Sequence, residues 1–109
     1  MDPQIDTSSG EPTRAAIDAL AGPTLLEFGS PWCGHCRAAQ PVIANALKAR
    51  PGVRHVKVED GSGKPLGRSF AVKLWPTLVF LKDGKETARL VRPDDVKHIR
   101  EALETIDGR

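Results

Sequence analysis

Cysteine is scarce in this chain. Only Cys33 and Cys36 occur among 109 residues, whereas disulfide-stapled secreted domains of this size carry four, six or eight. A bridge between two positions so close in sequence closes a very short loop and removes little chain entropy from the unfolded state, so stapling is a poor explanation for the pair. Nor does charge of one sign dominate: 16 Lys and Arg against 14 Asp and Glu leave a net charge of +2. That balance offers no reason to expect nucleic acid as the partner. Long apolar runs are missing too. No stretch approaches the roughly 18 apolar residues of a membrane span, and Met1 to Pro12 has neither the basic nor the apolar part of a secretory leader. A cytoplasmic location is expected, with no membrane partner.

What is present suits one compact domain. Met1 to about Gly10 reads as a flexible tail, and residues 11–109 as the domain. Glu11 to Ala21 reads as a helix stopped by Gly22-Pro23. Thr24 to Gly29 is short and apolar, as a buried central strand is, and Glu27 is the one charge in it. Cys33 to Arg50 predicts a long helix with a kink near Pro41. Val53 to Glu59 alternates as a second strand, and Pro65 to Ala71 predicts a short helix. Thr77 to Leu81 and Thr87 to Val91 flank Asp83-Gly84, a strong hairpin signal. Pro93 to Ile106 predicts a last helix, with Pro93 in its first turn and Val96, Ile99, Leu103 and Ile106 on one face. Parallel strands joined by helices, then an antiparallel pair, give an α/β fold with a mixed central sheet and helices on both faces.

The chemistry gathers at Trp32-Cys33-Gly34-His35-Cys36, just after the first strand. There Cys33 meets the free amides and positive dipole end of a helix, which favour its thiolate and lower its pKa. Cys36 lies one turn later, within reach of Cys33. A cationic His35 would favour the thiolate further and make the couple more oxidising. Zinc would need two more ligands, and no second cysteine pair exists, so no metal is expected.

These residues resemble the thioredoxin family. Leu25-Leu26-Glu27-Phe28 with Pro31-Trp32-Cys33-Gly34-His35-Cys36 is similar to its active-site strand and helix start, and Trp75-Pro76-Thr77 is similar to its cis-proline loop. The likeness spans about Thr13 to Ile106. Gly34-His35 and the acid Glu27 are similar instead to protein disulfide isomerase domains, and Trp75 stands where the family has a small or β-branched residue, which would reshape the substrate groove.

The resemblance implies a thioredoxin-like fold and a thiol-disulfide oxidoreductase whose catalytic residues are Cys33, Cys36, Glu27 and Pro76. Cys33 would attack a substrate disulfide, and Cys36, deprotonated with help from Glu27, would resolve the mixed disulfide. The Trp75-Pro76 bond is expected to be cis. Trp32, Gly34, His35, Trp75, Thr77 and Lys57 would bind substrate or tune the couple. Lys57 is the family-like basic partner for Glu27, but His55 shares its strand face and register decides between them. No cofactor is expected beyond the Cys33-Cys36 disulfide itself. Expected partners are protein disulfides or dithiols and a recycling reductase or thiol donor, and the chain is expected to be a monomer. An isomerase or oxidase role, or a non-catalytic binding or redox-sensing module, are the alternatives.

Overall fold

A computed structural model describes residues 11–107 of the chain, so the tail expected over residues 1–10 lies outside the described residues. The elements run α1 (Arg14–Asp18), β1 (Pro23–Gly29), α2 (Gly34–Lys48), β2 (Arg54–Glu59), α3 (Pro65–Ser69), β3 (Thr77–Lys82), β4 (Lys85–Val91) and α4 (Val96–Glu104). The sheet order is β2-β1-β3-β4. β1 pairs with β2 in parallel and with β3 antiparallel, and β3 pairs antiparallel with β4, so the sheet is mixed.

β1 is central because both its faces are apolar: Leu25, Leu26 and Phe28 are wholly buried, and each such burial stabilises the fold by about 1.5–3 kcal/mol. Strand alternation divides them. Leu25 joins Leu78 and Phe80 beneath Ile43 and Ala46 of α2 and Ile99 and Leu103 of α4. Leu26 and Phe28 face the other way, with Val79 and Leu81, onto Ile17 of α1 and Leu66 of α3. Helices therefore cover both faces. By the same alternation Glu27 shares the face of Leu25 and points toward α2.

The helix ends are shorter than the composition suggests, for local reasons. α1 starts only after Thr13, whose hydroxyl accepts the Ala16 N–H at 3.0 Å, while Glu11 reaches away to accept the Leu66 N–H at 3.1 Å. α4 excludes Pro93: Asp95 is its cap, accepting from Lys97 N at 2.9 Å. α3 ends at Ser69 because Ala71 takes a left-handed φ of 56°. Pro41 lies inside α2. In the hairpin, Asp83 and Gly84 both have positive φ, 51° and 80°, the geometry that two-residue turns require. The strand after that turn starts at Lys85, two residues before the expected Thr87.

Candidate active site

β1 delivers Glu27 from below and ends at Gly29; the chain then turns through Ser30 to Trp32 and enters α2 at Cys33. Cys33 is the cap of α2. Its sulfur accepts the Cys36 N–H at 3.2 Å, a role normally filled by an oxygen side chain. Both cysteines are free thiols, Cys33 partly exposed and Cys36 buried. Gly34 opens the helix with empty space where a side chain would project. Gly29 is there for the opposite reason: a Cβ at that position would stand 2.9 Å from the Cys36 sulfur.

Opposite the thiols, the Trp75-Pro76 peptide is cis, and the Trp75 carbonyl oxygen lies 3.8 Å from Cys33 Sγ. Desolvation raises the Cys33 pKa, but hydrogen bonds from the Cys36 thiol and backbone and from the His35 backbone, together with the charge of Arg92, outweigh it and bring it below the ordinary 9.0. His35 thus acts on Cys33 through its main-chain N–H, and Arg92 acts on it by charge. Cys36 is the converse. Burial first, then its hydrogen bond to Cys33, push it up to about 11. The pair is graded into an acidic outer thiol and a reluctant inner one.

Glu27 is buried, with its side chain only 4% exposed, yet both oxygens are partnered. His55 Nε2 stands 2.7 Å from Oε1, and Gln40 Nε2 donates to Oε2 at 2.8 Å. Burial raises the carboxyl pKa, but these hydrogen bonds and the charges of His55 and Lys57 lower it further than burial lifts it. The expectation of Lys57 as direct partner is corrected. Lys57 sits opposite Glu27 in the β1–β2 register, but its amine donates to Gln40 Oε1 at 2.9 Å, so it acts on the carboxylate by charge and not by a direct hydrogen bond. A cavity of about 360 Å³ opens beside this network, lined by Glu27, Gly29, Cys36, Gln40, Lys57 and Glu59.

One other expectation changes. Thr77 is 1% exposed and its hydroxyl donates to Leu74 O at 2.6 Å. It clamps the loop from inside and cannot touch substrate. Trp75 is half-buried; its indole N–H donates to Asp60 Oδ2 at 2.9 Å, and the Asp60 carboxylate occupies the space a side chain at Gly67 would need. Trp32 stands free at 89% exposure. Among the described residues the other exposed large apolar side chains are Leu74 and Val91, neighbours in sequence of Trp75 and Arg92. Also among these residues, no group of three or more His, Cys, Asp or Glu could hold a metal ion, and no helix is long and apolar enough to cross a membrane.

Gln40, Asp60, Leu74, Val91 and Arg92 were not legible as site residues from motifs alone. Two had a signal. Gln40 is one helical turn after Cys36, and counting back from the Asp83-Gly84 turn brings Arg92 alongside Trp75 and Pro76.

The thioredoxin family's sequence profile matches residues 7–105. The chain belongs to the thioredoxin family. Thioredoxin homologues are disulfide oxidoreductases. The fold is similar to that of reduced thioredoxin 2 from Pseudomonas aeruginosa PAO1, with 54% identity, a TM-score of 0.79 and coverage of 96% of this chain and 95% of that one. Thioredoxin H-type 1 of Nicotiana tabacum is 39% identical over 67 residues, 62% of this chain and 53% of that protein, so the match spans about half the tobacco thioredoxin. Protein disulfide-isomerase erp38 of Neurospora crassa is 46% identical over 67 residues, 58% of this chain and 18% of that protein.

Proposed function

We propose that this member of the family is a thiol-disulfide oxidoreductase that reduces protein disulfides in the cytoplasm and is recharged by a reductase or another thiol donor. The observation that carries this reading is the graded pair: an acidic, partly exposed Cys33 at the start of α2 with a buried, high-pKa Cys36 one turn behind it. The Cys33 thiolate attacks one sulfur of the substrate disulfide, forming a mixed disulfide, and the other substrate sulfur departs as a thiolate that takes a proton. Cys36 then loses its proton toward the Glu27 carboxylate and attacks Cys33, releasing the second substrate thiol. Two electrons pass to the substrate and the Cys33-Cys36 disulfide remains. The recharging thiol donor reverses that oxidation.

Trp32, Leu74 and Val91 support protein substrates over small ones. Exposed apolar side chains on the segments that carry Cys33, the cis peptide and Arg92 offer contact area to a bound chain. An isomerase or oxidase direction is the second reading, favoured by Gly34-His35 and by the local similarity to erp38. The test is a Cys36→Ser variant incubated with disulfide-bearing protein: adducts at Cys33 that dithiothreitol releases are expected. Absence of adducts while Cys33 still alkylates would overturn the two-step exchange. A reduction potential well above that of the cytoplasmic thiol pool would replace the reductant role with the oxidising one.

A further inference from the structure

We infer that Arg92 is a specificity-determining residue, an electropositive subsite that takes a carboxylate of the substrate chain beside the disulfide under attack. The inference rests on the disulfide-exchange reading above. Arg92 follows β4 with a left-handed φ of 50°, a conformation that costs a non-glycine residue and that its bonds to the neighbouring loop hold in place. Its backbone N–H donates to Pro76 O at 2.9 Å. Its Nε donates to Trp75 O at 2.8 Å, the same carbonyl oxygen that lies 3.8 Å from Cys33 Sγ. The guanidinium is thereby pinned at the edge of the reacting sulfur.

That clamp uses only one of the five donors of the group. Among the described residues Nη1 and Nη2 have no hydrogen-bond partner, and the residue is exposed. The free Nη edge is a planar fork, and a planar fork matches a carboxylate in a two-pronged pair. Nearby acids do not close it. Asp60 accepts the Trp75 indole N–H and Asp95 caps α4. Asp94 lines a hollow of about 170 Å³ together with Arg92 and His35, but among the described residues it makes no ion pair with the guanidinium. The exposed Trp32, next to Cys33 in sequence, and Val91, next to Arg92, offer apolar contact without a sense of charge, so the charge preference falls to Arg92.

The test uses the full chain, reduced, in single-turnover reduction of three peptide disulfides that differ only in a Glu, Gln or Lys beside the cysteine. Each rate is divided by that of dithiothreitol on the same peptide, which removes the intrinsic effect of the neighbouring charge. A normalised preference for Glu over Lys of about tenfold at low salt is expected, since the swap exchanges a surface attraction for a repulsion. It is expected to shrink severalfold at 0.5 M salt and to about twofold or less in Arg92→Gln, with most of it kept in Arg92→Lys. Arg92→Gly, which suits the left-handed backbone, guards against misfolding as the cause. An unchanged Glu-to-Lys ratio in both the Gln and Gly variants overturns the inference while leaving disulfide exchange intact. No reduction of the Gln peptide by the parent chain overturns the exchange reading, and this inference with it.

Discussion

His55 Nε2 stands 2.7 Å from Glu27 Oε1, so the basic partner of the buried acid is an imidazole two residues before the lysine that lies opposite it in register. Removing that partner leaves a buried carboxylate oxygen without its hydrogen bond, which costs about 1–3 kcal/mol. His55→Ala is therefore expected to lower stability by that amount at pH 7 in urea unfolding, and Lys57→Ala, which loses a hydrogen bond to Gln40 and a charge that acts on Glu27 from further away, by less. Equal losses would place the two bases on the same footing.

The same pair sets the response to acid. The folded Glu27 pKa lies below the ordinary 4.5, so on acidification the unfolded chain takes up this proton first. The stability from Glu27 is complete above the unfolded value and is lost as pH falls through the folded one. Glu27→Gln is expected to flatten the drop in stability below about pH 4.5. A slope identical to the parent's would show that other carboxylates carry it.

Alkylation rates separate the two thiols. Cys33 is expected to react with iodoacetamide along a titration curve centred below 9.0, while Cys36, near 11, stays unmodified at neutral pH. In Arg92→Gln the Cys33 curve moves to higher pH, because one charge favouring the thiolate is gone. A curve that stays in place would remove Arg92 from the acidity of the sulfur.

Gly29 leaves room for the Cys36 sulfur. A methyl group at 2.9 Å from Sγ forces the helix start or the thiol to shift, and overpacking of this kind costs about 1–3 kcal/mol. Gly29→Ala is expected to lose that stability and to prolong the mixed disulfide on Cys33, measured by quenched-flow trapping. Wild-type resolution would mean that Cys36 moves freely.

Trp75→Phe keeps the apolar ring and deletes the donor to Asp60. A loss of about 1 kcal/mol is expected, read from thermal unfolding. Asp60→Asn, which keeps an acceptor oxygen, is expected to lose less.

The strands were legible because their apolar patterns are short and punctuated: Leu25 to Phe28, the alternation in Val53 to Val58, and Asp83-Gly84 fall where the sheet needs them. Helix ends were less so, since Thr13 and Asp95 decide them through single hydrogen bonds that compete with helix-favouring neighbours. In the site, Cys33, Cys36 and Glu27 announce themselves by residue type in one local stretch. The partners of Glu27 do not. His55 and Lys57 share a strand face, and only the insertion of Gln40 from α2 sends the lysine elsewhere. Arg92 is not legible in the sequence for a related reason: its importance comes from a carbonyl 17 positions away, brought beside it by the hairpin.

The Cys33 sulfur is also the cap of α2, and this binds two properties that are usually measured apart. Closing the Cys33-Cys36 bond turns the acceptor of the Cys36 N–H from a thiol whose pKa is lowered into a neutral disulfide sulfur, so the helix start and the redox state of the pair are coupled. Around the closed cycle of folding and oxidation, the gap in folding free energy between the two redox forms equals the gap in electron affinity between the folded and unfolded pair. By that equality a tilt of about 1.4 kcal/mol toward the reduced fold appears as about 30 mV. A substitution that frays the start of α2 without touching either cysteine therefore retunes the couple, and a pair of melting curves measures it.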